Sequence, residues 1–187
     1  VTALPQLAPD NLAKLPIKAV YFASVASQEK VAVIKQLLGL DHLPWRQVHS
    51  DAQAYGVRSS YQQPQTLGVD RWLAMLGAQL LFPAKNVLIV DAGTAVTVDW
   101  LDKDGQHGGG WIMPGLKMQQ QAVVKNTAKV FNSEMFNGRL EPGTDTVTGL
   151  QNGCLAAVSG AVRLAWQQTP CDKLLLTGGD SKFLKPY

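Results

Sequence analysis

Hydrophobic positions along the chain change period several times, and each change marks an element. After prolines at 5, 9 and 16, the run "IKAVYFASVA" (Ile17 to Ala26) predicts a mostly buried strand. In "SQEKVAVIKQLLG", Val31, Ile34, Leu37 and Leu38 recur at helical spacing, with Ser27 placed to cap and Gly39 to terminate, so a helix is expected. The run "WRQVHS" then predicts a strand that completes a strand, helix, strand unit of the kind found in parallel sheets. "DAQAYGVRSSYQQPQTLG" is polar and turn-rich, which fits either a functional loop or a mobile surface segment. "VDRWLAMLGAQLLFP" predicts a helix with Leu73, Leu76 and Leu80 on one side, stopped before Pro83, with Asp70 and Arg71 in its first turn.

From Asn86 onward the pattern is different. Three strands are expected, Val87 to Asp91, Ala95 to Leu101 and about His107 to Met113, with Asp104 and Gly105 suited to the turn between the last two. Helices follow around Leu116 to Val130 and Gly149 to Trp166, then a strand from Lys173 to Gly179, with Asp180 and Ser181 placed to cap what comes next. The change of pattern puts a domain boundary near Pro83 to Asn86, giving residues 1–84 and 85–187 as two units. The second reads as three strands, two helices and a strand, and the first begins partway through a similar scheme.

Composition narrows the function classes. With 187 residues, 46% of them apolar and 17% charged, the chain can bury a core without a metal or disulfide staple, and disorder does not describe it. Cys154 and Cys171 are too few for a disulfide framework and lack the partners of a zinc site. The net charge of +3 is spread over single basic residues with no run of five or more, so nucleic acid is not an expected partner. Apolar stretches such as Val87 to Val90 fall far short of the roughly 18–20 residues of a membrane span, and the opening "VTALPQLAPDN" has no secretion-signal pattern, so a reduced cytoplasmic setting is expected.

Four segments carry candidate chemistry. In "VLIVDAGTAVTVD", Asp91 ends an apolar strand and precedes Gly93 and Thr94, presenting backbone N–H groups and a hydroxyl beside a carboxylate. That suits phosphate plus a cation, and it equally suits a strand-to-hairpin turn closed by Asp and Thr. "TGGDS" (Thr177 to Ser181) follows another apolar strand, and its glycines allow a ligand close to the backbone ahead of a helix, as an ordinary strand-to-helix connection also would. "GGGWIMPG" (Gly108 to Gly115) is a site wall or a tight turn. Asp70 in "LGVDR" is the candidate general base, or a helix cap, and Arg71 an anion donor or a surface pair. The histidines His42, His49 and His107 show no metal-ligand spacing, and neither a "GxSxG" nor a lysine-bearing phosphate loop occurs.

Taken in order, "YQQPQTLGVDRW", "DAGTAVTVD", "GGGWIMPG" and "TGGD" resemble the type III pantothenate kinase family, also described as the Bvg accessory factor family, through essentially the whole chain. The resemblance implies an α/β fold of the acetate and sugar kinase, Hsp70 and actin superfamily, with two ribonuclease H-like halves. It implies ATP-dependent phosphorylation of pantothenate to 4′-phosphopantothenate, the first step of coenzyme A synthesis, by a homodimer needing Mg²⁺ and a monovalent cation, K⁺ or NH₄⁺. By the same resemblance Asp70 is the base for the pantothenate hydroxyl, and Arg71 helps hold substrate or phosphate. Tyr61, Gly68 and Val69 line the pantothenate pocket, and Thr127 contacts pantothenate partly across the dimer. Asp91 sits by the monovalent cation, Gly93 and Thr94 by the ATP phosphates, and Gly178 and Gly179 by the adenosine.

The family opens with a "DxGN[ST]" strand that binds phosphate and Mg²⁺, and nothing like it precedes Ile17; the family also has a further helix after "TGGD". The expectation is therefore of part of a longer kinase, with an incomplete first half and poor catalysis on its own. Two other readings stand beside it. One is a non-catalytic regulatory or assembly protein that keeps the fold, and the other is a kinase of the same superfamily for a different hydroxylated metabolite, since fold does not fix substrate.

Overall fold

The computed structural model describes residues 16–24, 28–127 and 135–187. The end of the strand expected to reach Ala26, the Ser27 cap and the last residues of the helix expected to reach Val130 lie outside these. In the first unit, β1 (Val20–Phe22) and β2 (Trp45–Gln47) are parallel and joined through α1 (Gln28–Leu37), the expected strand, helix, strand unit. Gly39 adopts φ +63° just past the helix, the left-handed conformation that glycine accepts at least cost. The expectation of a mostly buried first strand fails. β1 is three residues long and Tyr21 is 65% exposed, because β2 is its only strand partner among the described residues.

The polar stretch after β2 contains a small hairpin, β3 (Gln53–Ala54) and β4 (Val57–Arg58), that its composition hides. Tyr55 and Gly56 both take positive φ, 47° and 84°, as a two-residue hairpin turn requires. Val57 is fully buried, and the Arg58 N–H donates to the Gly105 carbonyl at 2.8 Å, so the loop is pinned to a later hairpin.

Residues 87–177 supply the main sheet, β5 (Val87–Ala92), β6 (Ala95–Leu101), β7 (His107–Pro114) and β8 (Lys173–Thr177), in the order β7-β6-β5-β8. The first three form an antiparallel meander, and β8 returns parallel to β5 after α3 (Leu116–Asn126) and α4 (Thr146–Gln168). Asp102 and the positive φ of Gly105, 74°, shape the expected turn between β6 and β7. β5 is buried on both faces, which explains its unbroken apolar run. Leu88 and Val90 pack with Leu155, Val158 and Ala165 of α4, while Val87 and Ile89 pack with α2 (Val69–Leu81) on the other face.

The buried face of α2 is led by Trp72 and Met75, and of the three leucines Leu76 packs against the same core. Trp72 and Met75 are 2% and 0% exposed, whereas Leu73 and Leu80 are 40% and 83% exposed. The helix carries two apolar stripes, and the one holding Trp72, Met75 and Ala78 also holds Arg71, whose buried ion pair is satisfied only when that side faces the sheet. α4 starts at Asp145 with a reciprocal capping box, its carboxylate accepting the Thr148 N–H at 2.9 Å. The last helix, α5 (Ser181–Leu184), follows Asp180, which makes no side-chain cap; its backbone N–H donates instead to the Ala92 carbonyl at 2.9 Å. No described helix is long and apolar enough to cross a membrane.

Candidate active site

Three turns meet at the carboxyl ends of the parallel strands β5 and β8, the usual place for a ligand in an α/β sheet. The turn after β5 is closed by the Gly93 N–H donating to the Ala95 carbonyl at 3.0 Å, and it leaves Thr94 exposed. The Gly115 N–H, ahead of α3, donates to the Thr94 carbonyl at 2.9 Å, and a Cβ on Gly115 would overlap the carbonyls of Gly93 and Thr94. Gly178, at φ +90°, turns the chain after β8 so tightly that a Cβ there would run into the Ala92 carbonyl and Asp91 Oδ1. Gly179 beside it has open space where a side chain would stand. These glycines let three backbone segments touch and leave bare peptide at the strand ends.

Two carboxylates face this end of the sheet. Asp91 pairs with Thr97 of β6 and Thr177 of β8, on the same side of β5 as Ile89 and therefore on the α2 side. Burial, and then the negative charge of Asp70, push the Asp91 carboxyl above its ordinary range. Asp70 stands exposed in the first turn of α2, its Oδ1 accepting the Arg71 N–H at 2.8 Å. The helix begins on Gly68, which offers no side-chain cap. A Cβ on Gly68 would stand 2.6 Å from Asp70 Oδ1, so glycine keeps that carboxylate uncovered. Half-buried Val69 completes the entry to the helix.

Arg71 is placed differently from a free anion donor. It is 4% exposed, and its guanidinium donates to Asp99 of β6 through Nε at 2.9 Å and Nη2 at 2.6 Å, and to the Tyr61 hydroxyl through Nη1 at 2.8 Å. Burial works against the Asp99 carboxylate, but bonds from His107 and Arg71 outweigh it and hold the group below its ordinary range. Burial likewise opposes the Arg71 charge, and Asp99 and Tyr61 more than offset it. Thr127 lies at the far end of α3 from the Gly115 turn. It follows the last turn of α3, about 16 Å along the axis from Gly115 at 1.5 Å per residue, and its hydroxyl donates to the Val123 carbonyl at 2.9 Å.

Asp99, Ser60 and the contact role of Gly110 do not stand out in the sequence, and His107 does so only as a histidine without metal-ligand spacing. One signal was available: Asp99 interrupts the apolar positions of "AVTVDWL", and an acid in a central strand needs a buried partner. The chemistry of Asp91 fits a monovalent cation, since a half-buried carboxylate raised by burial and by the charge of Asp70 would gain from a counter-charge. Among the described residues no group of three or more His, Cys, Asp or Glu is placed to hold a metal ion. A Mg²⁺ ion here would depend on nucleotide phosphates and at most one or two carboxylates. Cys154 and Cys171 are packing residues whose thiols are pushed up by burial. Two grooves lie away from the strand ends, one of about 610 Å³ beside α4 and one of about 360 Å³ beside Trp100 and Trp111, and neither contains Asp70 or Asp91.

The chain is similar to known proteins over most of its length. A family model described as type III pantothenate kinase matches residues 2–168. A type III pantothenate kinase of Colwellia psychrerythraea is 38% identical over 167 residues, covering 86% of this chain and 67% of its own length. One from Acinetobacter baylyi is 35% identical over 175 residues, covering 91% of this chain and 70% of its own. The chain thus spans about two thirds of the length of these relatives. A solved structure from Campylobacter jejuni, described as a Baf family transcriptional activator, superposes with a TM-score of 0.57 at 22% identity, over 95% of this chain and 76% of that one, a likeness of fold.

Proposed function

The chain belongs to the type III pantothenate kinase family, enzymes that use ATP to phosphorylate pantothenate in coenzyme A biosynthesis, and from that premise we propose how its residues divide the work. The family lies in the actin, Hsp70 and sugar kinase superfamily, in keeping with the mixed α/β fold. Asp70 is the general base. Its carboxylate is exposed at the start of α2, and it takes the proton from the attacking pantothenate hydroxyl. Tyr61, Gly68 and Val69 line the pantothenate side. The Gly93 and Thr94 turn meets the ATP phosphates, and Gly178 and Gly179 border the adenosine.

Asp91 would hold the monovalent cation, whose charge relieves the repulsion between Asp91 and Asp70. Mg²⁺, when bound with ATP, supplies charge neutralisation on the phosphates. Phosphoryl transfer asks for positioning and electrostatics more than covalent chemistry, and a base, a carboxylate and bare backbone at one strand end provide that setting. The assignment of Arg71 changes in emphasis: with its charge committed to Asp99, it orients the site from below.

Thr127 contacts pantothenate partly across a dimer, so the reading includes a homodimer. It also includes two ribonuclease H-like units, 1–84 and 85–187, and a cytoplasmic setting. The observation that supports the reading best is the meeting of three glycine-shaped turns at the carboxyl end of β5, beside an Asp91 carboxyl that burial and then the charge of Asp70 push upward. The test is ADP release by the full-length gene product with pantothenate, with and without K⁺ and with Asp70→Asn. Loss of turnover on that substitution sustains the assignment, and activity within twofold of wild type removes Asp70 from the role.

A further inference from the structure

The carboxylate of Asp99 lies in the middle of β6 at 1% exposure, out of reach of any substrate. Besides the two Arg71 bonds it accepts a third from His107 Nε2, at 2.9 Å on Oδ1. A carboxylate only accepts, so Nε2 carries the hydrogen. The other ring nitrogen of His107, itself 1% exposed, meets Ser60 Oγ at 3.1 Å. Tyr61 is the next residue, its ring stacked on the imidazole at 6.0 Å and 17° and its hydroxyl bonded to Arg71. Arg71, Asp99, His107, Ser60 and Tyr61 therefore form a closed ring of contacts, buried at Arg71, Asp99 and His107 and reaching the surface at Ser60.

Stability alone does not explain such a ring, because apolar residues of similar volume are often at least as stable as a buried ion pair. What a bidentate fork adds is direction. Direction is what the start of α2 lacks, since Gly68 gives it no side-chain cap. Asp70 is bonded covalently to Arg71, and Tyr61 is hydrogen-bonded to it, so both groups assigned to the substrate hang on one guanidinium. We propose that Asp99, backed by His107 and Ser60, is a positioning residue for the kinase reaction, locking Arg71 and thereby fixing the Asp70 carboxylate and the Tyr61 ring against pantothenate. It does this without touching substrate. The inference rests on the reading of Asp70 as the base.

The test is steady-state ADP release by the full-length gene product, with KM measured separately for pantothenate and ATP. Asp99→Asn, His107→Leu and His107→Gln are each made alone and on Asp70→Asn. A misplacement of about 1 Å costs on the order of 10²-fold, so Asp99→Asn is expected to lower kcat/KM for pantothenate at least ~10-fold, with KM for ATP within about twofold. His107→Leu loses about 10-fold, and His107→Gln, which keeps a donor for Asp99, recovers most of it. On Asp70→Asn the same substitutions cost clearly less than on wild type, because no base remains to be placed and only the hold on Tyr61 is lost. Equal penalties in both backgrounds overturn the positioning role and leave the base assignment intact. So does an Asp99→Asn enzyme that melts earlier yet keeps kcat/KM within twofold. Full activity of Asp70→Asn overturns the base and the positioning together. Should Asp99→Asn fail to fold, the His107 pair, which leaves the Arg71 and Asp99 contact in place, decides the matter by the same criteria.

Discussion

Replacing Gly110 by alanine adds one methyl group at the point where β7 passes the buried ion pair. Gly110 pairs in register with Asp99, and a Cβ there would overlap Arg71 Nη2 and Asp99 Oδ1 and stand 2.5 Å from the Val98 carbonyl. Two responses are open to the protein. β7 can draw away from β6, which is overpacking and costs about 1–3 kcal/mol. Alternatively the guanidinium and carboxylate separate, approaching the roughly 3–5 kcal/mol of a broken buried pair. The expected loss is therefore about 2–4 kcal/mol, which for a chain of this size lowers the melting temperature by about 5–15 °C. Urea unfolding should show a lower midpoint with an unchanged slope. Gly108→Ala is the control, because its added Cβ meets Trp100 Cβ at an ordinary 3.5 Å. It should stay within about 0.5 kcal/mol of wild type, as surface substitutions do. If Gly110→Ala is as stable as the control, the close contact of β7 with the Arg71 and Asp99 pair is refuted.

Other outcomes follow from the same geometry. Met75→Ala should cost about 2–5 kcal/mol in urea unfolding and Leu80→Ala less than about 0.5, an order that reverses if the leucine stripe of α2 is the buried one. Because the Asp91 carboxyl is raised, the folded state holds more protons than the unfolded one just above the ordinary carboxylate range, and stability from this group falls as pH rises through that window. At neutral pH Asp91→Asn should thus melt higher than wild type, and it should lose the melting-temperature rise that K⁺ gives wild type at matched ionic strength; an equal rise in both excludes Asp91 as a cation ligand. Asp99 has the opposite sign: its lowered value contributes stability that is present above the ordinary carboxylate range and lost as pH falls through the folded value. Acid titration of Asp99→Asn should show a shallower loss of stability than wild type.

Much of the second unit was legible because its signals are local. The Asp104–Gly105 turn, the glycine after Asp91 and the unbroken apolar run of β5 set the three meander strands to within a residue or two of their observed limits. The β3–β4 hairpin was hidden because two-residue strands carry no period, and its register depends on Tyr55 and Gly56 accepting positive φ. The buried face of α2 was not legible for a different reason. Leucine spacing describes a helix alone, while the orientation is chosen by Trp72, Met75 and an ion pair whose partners are 28 residues apart. The candidate site shows the same division. Asp70, Asp91, Gly93, Thr94, Gly178 and Gly179 lie in short motifs at strand and helix ends, but the carboxylate that orients the helix start becomes visible only when β6 and β7 are laid beside it.

The central claim is that Asp70 takes the proton from pantothenate at the carboxyl end of β5. Its most direct test is turnover by Asp70→Asn of the full-length gene product in an ADP-release assay, with the melting temperature measured alongside. Asp70 is exposed and among the described residues its side chain bonds its neighbour's N–H, so the fold should be unaffected while kcat falls by at least about 10²-fold, the scale of a lost general base. Turnover within twofold of wild type by a protein of unchanged stability would contradict the account.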